Sequence, residues 1–372
     1  MSDPDARIRS LVRPQVREMQ AYHVAEAGGL IKLDAMENPY PWPPALREKW
    51  LRALGAVRPN RYPDPEAGSL KALIREVFGI PDGVGLMLGN GSDELIQLLG
   101  LALGGADRSV LTPAPGFAMY RIIAGFTGMD YREVSLRRDD FGLDAEAMLE
   151  AVRRDRPTII YLAYPNNPTG NAFDRAAVEA VIREAPGVVV LDEAYHAFCG
   201  ESFVDDIGRW PNLLVMRTVS KMGLAGLRLG YLAGHPDWLA QLEKCRLPYN
   251  VNALTQESAR FALEHIEVFE EQTACIRRDR EALQSALAAM PAIRVWDSRA
   301  NFLAFRVPPG KAPAVHRGLL EAGVLIKQLH GSHPLLEDCL RVTVGTPQEN
   351  ERFLENLGRI VDAVHASWRR TR

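Results

Sequence analysis

Apolar positions divide the chain into two differently patterned regions. Between about residues 69 and 233, short apolar runs alternate with stretches of helical spacing. Residues 69–78 and 94–103 repeat apolar side chains at the three- and four-residue interval of an amphipathic helix. The runs 109–112, 158–163, 188–191 and 213–217 are short and apolar and end in turn-forming or polar residues, as buried strands do. A helical stretch at 176–184 separates two of them. This alternation predicts an α/β fold with a mostly parallel sheet covered by helices on both faces. After Tyr249 the pattern changes: residues 254–290 carry one long amphipathic helical pattern that stops before Pro291. Strand-like runs follow at 293–296, 301–307, 324–328 and 340–344, with a helix at 314–322 and a terminal helix from 348 to about 367. The expected organisation is a large domain at 46–250, a smaller α+β domain at 251–372, and a Pro-rich segment, 1–45, running beside the smaller domain.

Composition narrows the function classes. A chain of 372 residues fits roughly two domains of ~100–200 residues each. A net charge of −3 provides no basic field for nucleic acid or anionic lipid, so neither is expected as a partner. Arg369, Arg370 and Arg372 form only a short basic end. No apolar run approaches the ~20 residues of a membrane span; the nearest, 95–103, is broken by Gln97 and Gly100. Met1 to Asp5 are polar and lead into no signal-peptide core. Cys199, Cys245, Cys275 and Cys339 form no C-x-x-C pair, so reduced thiols and a cytoplasmic location are expected.

Candidate chemistry lies where each predicted strand ends. In a doubly wound sheet, ligands bind beyond the carboxyl ends of the strands. The run 158–163 is followed by Tyr164-Pro165-Asn166-Asn167-Pro168-Thr169-Gly170, the run 188–191 by Asp192-Glu193-Ala194-Tyr195, and the run 213–217 by Thr218-Val219-Ser220-Lys221. Singly, these are turn chemistry, a helix cap and a surface lysine. Together, they direct an amide, a carboxylate, a phenol and a lysine at one crevice. A lysine amine condenses with an aldehyde cofactor. A carboxylate keeps a pyridine nitrogen protonated, and a phenol and an amide suit a phenolate oxygen. Gly89-Asn90-Gly91-Ser92-Asp93 precedes a helix whose N-terminal amides suit a phosphate. Glu94 stands where a dinucleotide fingerprint would need its third glycine. Asp93 and Glu94 are awkward neighbours for a phosphate, and Arg228 supplies a compensating cation.

These motifs, in this order and over nearly the whole chain, resemble the fold-type-I pyridoxal-phosphate enzymes, specifically the class I/II aminotransferases. The resemblance implies pyridoxal phosphate as cofactor, Lys221 as the lysine that carries it and shuttles the proton, and Asp192 as the partner of the ring nitrogen. It implies Tyr195 and Asn167 at the ring oxygen, Phe117 against the ring face, and Ser92, the Asp93 amide, Ser220 and Arg228 around the phosphate. Tyr62, in Asn60-Arg61-Tyr62-Pro63, resembles a tyrosine lent by a partner subunit, implying a homodimer with shared sites. Arg228 follows Lys221 by seven positions (228 − 221), one fewer than in many such enzymes, so the turn between them differs.

Glu37-Asn38-Pro39-Tyr40, Gly91-Ser92-Asp93-Glu94 and Leu340-Arg341-Val342-Thr343-Val344-Gly345-Thr346 are similar to stretches of the histidinol-phosphate branch of that family. This implies small-molecule substrates, histidinol phosphate and 2-oxoglutarate, in histidine biosynthesis. Arg341 would clamp the substrate's phosphate or carboxylate, its bland alternative being a surface ion pair on an edge strand. Lys327, Tyr22, Tyr120 and Asn38 are further candidate substrate contacts. An aromatic aminotransferase and a phosphoamino-acid decarboxylase are the alternatives within the family, and a non-catalytic cofactor-binding regulator the alternative outside it. His330 and His333 lack neighbouring Cys or acidic ligands at metal-binding spacing, so no metal is expected.

Overall fold

The computed structural model describes residues 4–21 and 27–369. Its strands are β1 (Ile31–Leu33), β2 (Gly85–Gly89), β3 (Ser109–Ala114), β4 (Asp130–Ser135), β5 (Ile159–Ala163), β6 (Val188–Asp192), β7 (Leu213–Thr218), β8 (Gly230–Gly234), β9 (Arg294–Val295), β10 (Phe302–Arg306), β11 (Val324–Gln328) and β12 (Cys339–Thr343). The larger sheet runs β2-β8-β7-β6-β5-β3-β4. Only β8 is antiparallel to its neighbours there; β3 to β7 are mutually parallel wherever they pair. Strands β5, β6 and β7 are buried at every residue, which is why Val188-Val189-Val190-Leu191 is a continuous apolar run without alternation. Alternate residues nevertheless serve opposite layers. Ile160, Leu162, Val189 and Leu191 pack on the helices Gly68–Phe78, Ala145–Asp155 and Arg175–Glu184. Ile159, Tyr161, Val188 and Val190 pack on Ser92–Leu103 and Ala118–Thr127.

A smaller sheet, β1-β11-β12-β10-β9, carries its own core around Phe302, Phe305, Leu319, Phe353 and Leu357. It is antiparallel except where β1 joins β11. No helix among the described residues is long and apolar enough to cross a membrane.

Three differences from the sequence pattern have physical causes. Strands β1, β2, β4 and β8 were not expected: β1 is only three residues long, β2 and β8 are bounded by glycines, and β4 is a polar edge strand. The single helix expected at 254–290 is two, Ala253–Leu263 and Ile266–Ala288. The break falls at Glu264 and His265, where neither glycine nor proline marks it, and His265 leaves the helical region at φ −125° and ψ 38°. Residues 1–45 also do not run beside the smaller sheet throughout. The β1 strand joins that sheet, but the helix Pro14–Glu18 lies on Ala118–Thr127 of the larger unit, where Arg13 Nη2 donates to the Phe126 carbonyl.

The carboxyl ends of β6 and β7 are tied by a buried ion pair. Arg217, on β7, donates from Nε and Nη2 to Glu193 Oε2 at 2.9 and 2.8 Å, and both side chains are buried. The Phe203 N–H (2.7 Å) and the Ser202 hydroxyl also donate to the Glu193 carboxylate. Removing one partner of such a pair leaves a buried charge uncompensated, at about 3–5 kcal/mol. Arg217→Met is therefore expected to lower the urea midpoint of the protein well below wild type, and Arg217→Met with Glu193→Gln to recover part of the loss. Equal midpoints for wild type and Arg217→Met would show that the pair does not hold these strand ends.

Candidate active site

The residues that follow β5, β6 and β7 meet in one cavity, at the end of the sheet where parallel strands leave it. Asn167, Asp192, Tyr195, Ser220 and Lys221 line it, joined from the neighbouring helix start and loops by Ser92, Asp93, Phe117 and Arg228. Each arrives there for a local reason. Asp192 is the last residue of β6, and Lys221 lies in a single 3-10 turn directly after β7. Arg228 comes before β8 rather than after it, because β8 runs antiparallel and starts at this end.

Asp192 is buried, and burial pushes its carboxyl up to about 6 against two donors that favour its ionised form. The donors are the Tyr120 hydroxyl at 2.6 Å, on Oδ2, and the Ala194 N–H at 3.1 Å, on Oδ1. Lys221 Nζ donates to the Ala35 carbonyl at 3.3 Å and stands 5.9 Å from the centre of the Tyr195 ring. Burial, aided by the nearby Arg341 and Arg228 cations, lowers the lysine to about 8, so a substantial fraction of the amine is neutral near that pH. Asn167 is held from both sides: Arg341 Nη1 donates to its Oδ1 at 2.6 Å, and its Nδ2 donates to the Tyr195 hydroxyl at 3.2 Å. The arginine thus fixes which end of the amide faces Tyr195.

Backbone approach shapes the other end of the cavity. Gly91 has φ +86° and caps the helix Ser92–Leu103 without a side chain. A Cβ on Gly230 would lie 2.7 Å from the Ser92 nitrogen, and one on Gly91 would lie 2.6 Å from Arg228 Nη2. The two glycines permit these close approaches, and the resulting cradle of amide, hydroxyl and guanidinium donors suits an anion. Of the acidic neighbours, Glu94 is turned to other donors and Asp93 is set against the Arg228 cation. Glu94 Oε2 accepts from the Asn90 N–H and from Asn250 Nδ2, and Asp93 Oδ2 lies 3.4 Å from Arg228 Nη2.

Some expected substrate contacts lie elsewhere. Tyr120 does not line the cavity; it is buried, stacked on Tyr161, with its hydroxyl on Asp192, so it supports the site from behind. Asn38 spends both amide hydrogens on the Met222 carbonyl and Gln272 Oε1, and its Oδ1 accepts from Tyr40 N–H, so it anchors its segment to the lysine turn instead of facing a substrate. Tyr22 lies outside the described residues. Lys327 is exposed on β11, in register with Arg341. Arg341 sits on an interior strand, β12, and is 5% exposed, unlike a surface ion pair on an edge. Tyr62 is 81% exposed, stacked on Tyr249 and not part of this cavity. His330 and His333 each accept a backbone N–H through Nδ1, from Asp338 and Leu335.

Sequence reasoning passed over Thr218 and Met36, which also line the cavity. Thr218 ends β7, so the strand-end rule applied consistently would have included it. Met36 has φ 55°, a conformation that its sequence does not announce.

Comparison with known proteins gives a consistent result. The family model for aminotransferase class I and II matches residues 29–357. Histidinol-phosphate aminotransferase 2 of Nitrosococcus oceani is 52% identical over 351 residues, spanning 94% of this chain and 97% of that protein. Histidinol-phosphate aminotransferase of Chromobacterium violaceum is 51% identical over 95% of this chain and 98% of its own. Among solved structures, histidinol-phosphate aminotransferase of Sinorhizobium meliloti, in complex with pyridoxal-5'-phosphate, shares the fold. It has a TM-score of 0.85 at 23% identity and covers 95% of this chain and 98% of that one.

The lowered lysine gives a measurement that needs no ligand. Competitive labelling with an amine-modifying reagent, read by peptide mass spectrometry, is expected to show Lys221 reactivity rising through about pH 8. Exposed lysines should rise near their ordinary value of about 10.4. A Lys221 profile that coincides with theirs would remove the electrostatic basis for its activation.

Proposed function

Since the chain belongs to the class I and II aminotransferase family, we propose that it transfers an amino group between histidinol phosphate and 2-oxoglutarate, the exchange used in histidine biosynthesis. It is a pyridoxal-phosphate-dependent enzyme. The cavity suits that cofactor: the glycine cradle with Ser92, Ser220 and Arg228 fits a phosphate, and the buried Asp192 fits a cationic ring nitrogen. When bound, pyridoxal phosphate supplies an aldehyde and a ring that accepts electrons. Lys221 would hold that aldehyde through Nζ and, as a free amine, would carry the proton from the substrate carbon to the cofactor. Asp192 would keep the ring nitrogen protonated, Asn167 and Tyr195 would hold the ring oxygen, and Phe117 would lie against the ring.

The observation that carries the substrate assignment is Arg341, a buried guanidinium adjoining Asn167 and close enough to Lys221 to depress its affinity for a proton. The Asn167 Oδ1 and the Asp34 carbonyl hold its two Nη atoms in a fixed orientation. Such a fork favours a phosphate or a carboxylate, so one residue serves histidinol phosphate in one half-reaction and glutamate in the other. Lys327, opposite it on β11, adds a second cation on the approach. The enzyme works in the cytoplasm as a homodimer. Tyr62, exposed and outside the lining of its own cavity, would reach the phosphate of the partner's site.

If Arg341 binds the phosphate, histidinol phosphate should exceed histidinol in kcat/KM, with about ten- to a hundredfold of the preference due to this residue, from a charge-assisted contact of roughly 1.5–3 kcal/mol. Arg341→Ala should erase most of that preference and also weaken glutamate, whereas Arg341→Lys should recover only part. Phenylalanine outperforming histidinol phosphate in the wild type would replace this reading with an aromatic aminotransferase.

Shared sites have a separate test. Lys221→Ala chains should be inactive, and Tyr62→Phe chains impaired. Mixed under exchanging conditions, they should form hybrids with one intact site and regain activity above both parents. Mixtures that stay at the parental level would argue against a borrowed Tyr62.

A further inference from the structure

Tyr120 makes the shortest contact to Asp192 of the two donors that reach it, and it makes that contact from a rigid position. Its hydroxyl lies 2.6 Å from Oδ2, the length of a charge-assisted O–H···O⁻ bond. Its ring is stacked on Tyr161 at 4.5 Å with an interplanar angle of 4°. The same ring meets Phe117 edge-on, at 5.5 Å and 88°. One buried side chain therefore touches both the carboxylate assigned to the ring nitrogen and the aromatic ring assigned to the ring face. The helix Ala118–Thr127 enforces this pairing, because Phe117 is its N-cap and Tyr120 lies in its first turn.

We infer that Tyr120 is a positioning residue for Asp192, holding the carboxylate ionised and aimed at the nitrogen of the cofactor ring. The inference rests on the cofactor assignment above. The titratable groups around Asp192 are Tyr120, Tyr161, Asp93 and Glu193. Asp93 and Glu193 oppose ionisation, as does burial, and Tyr120 with the Ala194 N–H favours it. A protonated Asp192 cannot pair with a cationic ring nitrogen. Removing the Tyr120 hydroxyl raises the proton affinity of the carboxylate, so the ionised form exists only above a higher pH.

The test uses apoenzyme and pyridoxal phosphate, with the dissociation constant measured between pH 5 and 8. In wild type, affinity falls as acid protonates Asp192. Tyr120→Phe keeps the stacked ring and should move this acidic limb upward by about one pH unit, the size of a charge-assisted hydrogen bond. The cofactor's own phosphate titrates in the same window but identically for every variant, so only the difference is read. Tyr131→Phe, which removes a hydroxyl bonded to Thr112 instead, should leave the limb in place. In an Asp192→Asn background, Tyr120→Phe should add no further shift. If Tyr120→Phe does not fold, 3-fluorotyrosine at position 120, a stronger donor of the same shape, should move the limb downward. A limb unmoved by a folded Tyr120→Phe, or by the fluorinated ring, overturns the inference. Wild-type apoenzyme that does not bind pyridoxal phosphate at any pH would refute the cofactor assignment, a distinguishable result.

Discussion

Glu193 and Arg217 are charged groups in the interior of the larger sheet, and each is tolerable there only because of the other. Two buried ions lose several kcal/mol of hydration apiece, and only close geometry with further hydrogen bonds offsets that loss. The pair meets this condition: the Ser202 hydroxyl and the Phe203 N–H donate to Glu193, and the Tyr231 hydroxyl accepts from Arg217 Nη1. Its position matters more than its strength. Glu193 immediately follows Asp192, and Arg217 lies four residues before Lys221. Locking one to the other fixes the distance between the carboxylate and the lysine on which the chemistry of the cavity depends. Sheet register holds Asp192 but ends before Lys221, which lies in the turn after β7.

A second layer of support reaches the cavity from outside its lining. Tyr120 fixes Asp192 from the helix layer, and Arg341 fixes Asn167 from the smaller sheet. The Asn301 amide and the Thr343 hydroxyl bind the backbone of Met36, so the loop that covers the lysine is held by the smaller sheet as well. Groups that line the cavity are thus held by side chains anchored in other elements, as precise placement requires. The site belongs to both sheets even though most of its lining comes from one.

The sequence made the core of the site legible because parallel strands present their last residues to the ligand, so motifs could be read one strand at a time. Asp192, Asn167, Tyr195 and Lys221 all follow that rule. Arg228 does not, since it precedes an antiparallel strand, and it was found through its charge instead. The partners of Tyr120 and Asn38 were not legible for a different reason. A tyrosine or an asparagine near a site looks the same in sequence whether it faces the ligand or holds a neighbour, and only the hydrogen-bond partners decide. The helix break at Glu264 and His265 was invisible because periodicity on both sides stays helical and the residues at the break are ordinary helix formers or neutral.

The cradle formed by Gly91 and Gly230 has a consequence for how this chain can change over generations. At most positions an intruding side chain can be accommodated by a smaller neighbour, so the loss is recoverable by a second substitution. The atoms facing Gly230 are the Ser92 nitrogen and the Gly91 carbonyl carbon, which are main chain and cannot be made smaller. No replacement elsewhere removes them. Position 230 is therefore closed to drift by main-chain packing beside the cavity, a constraint that no second substitution can relieve.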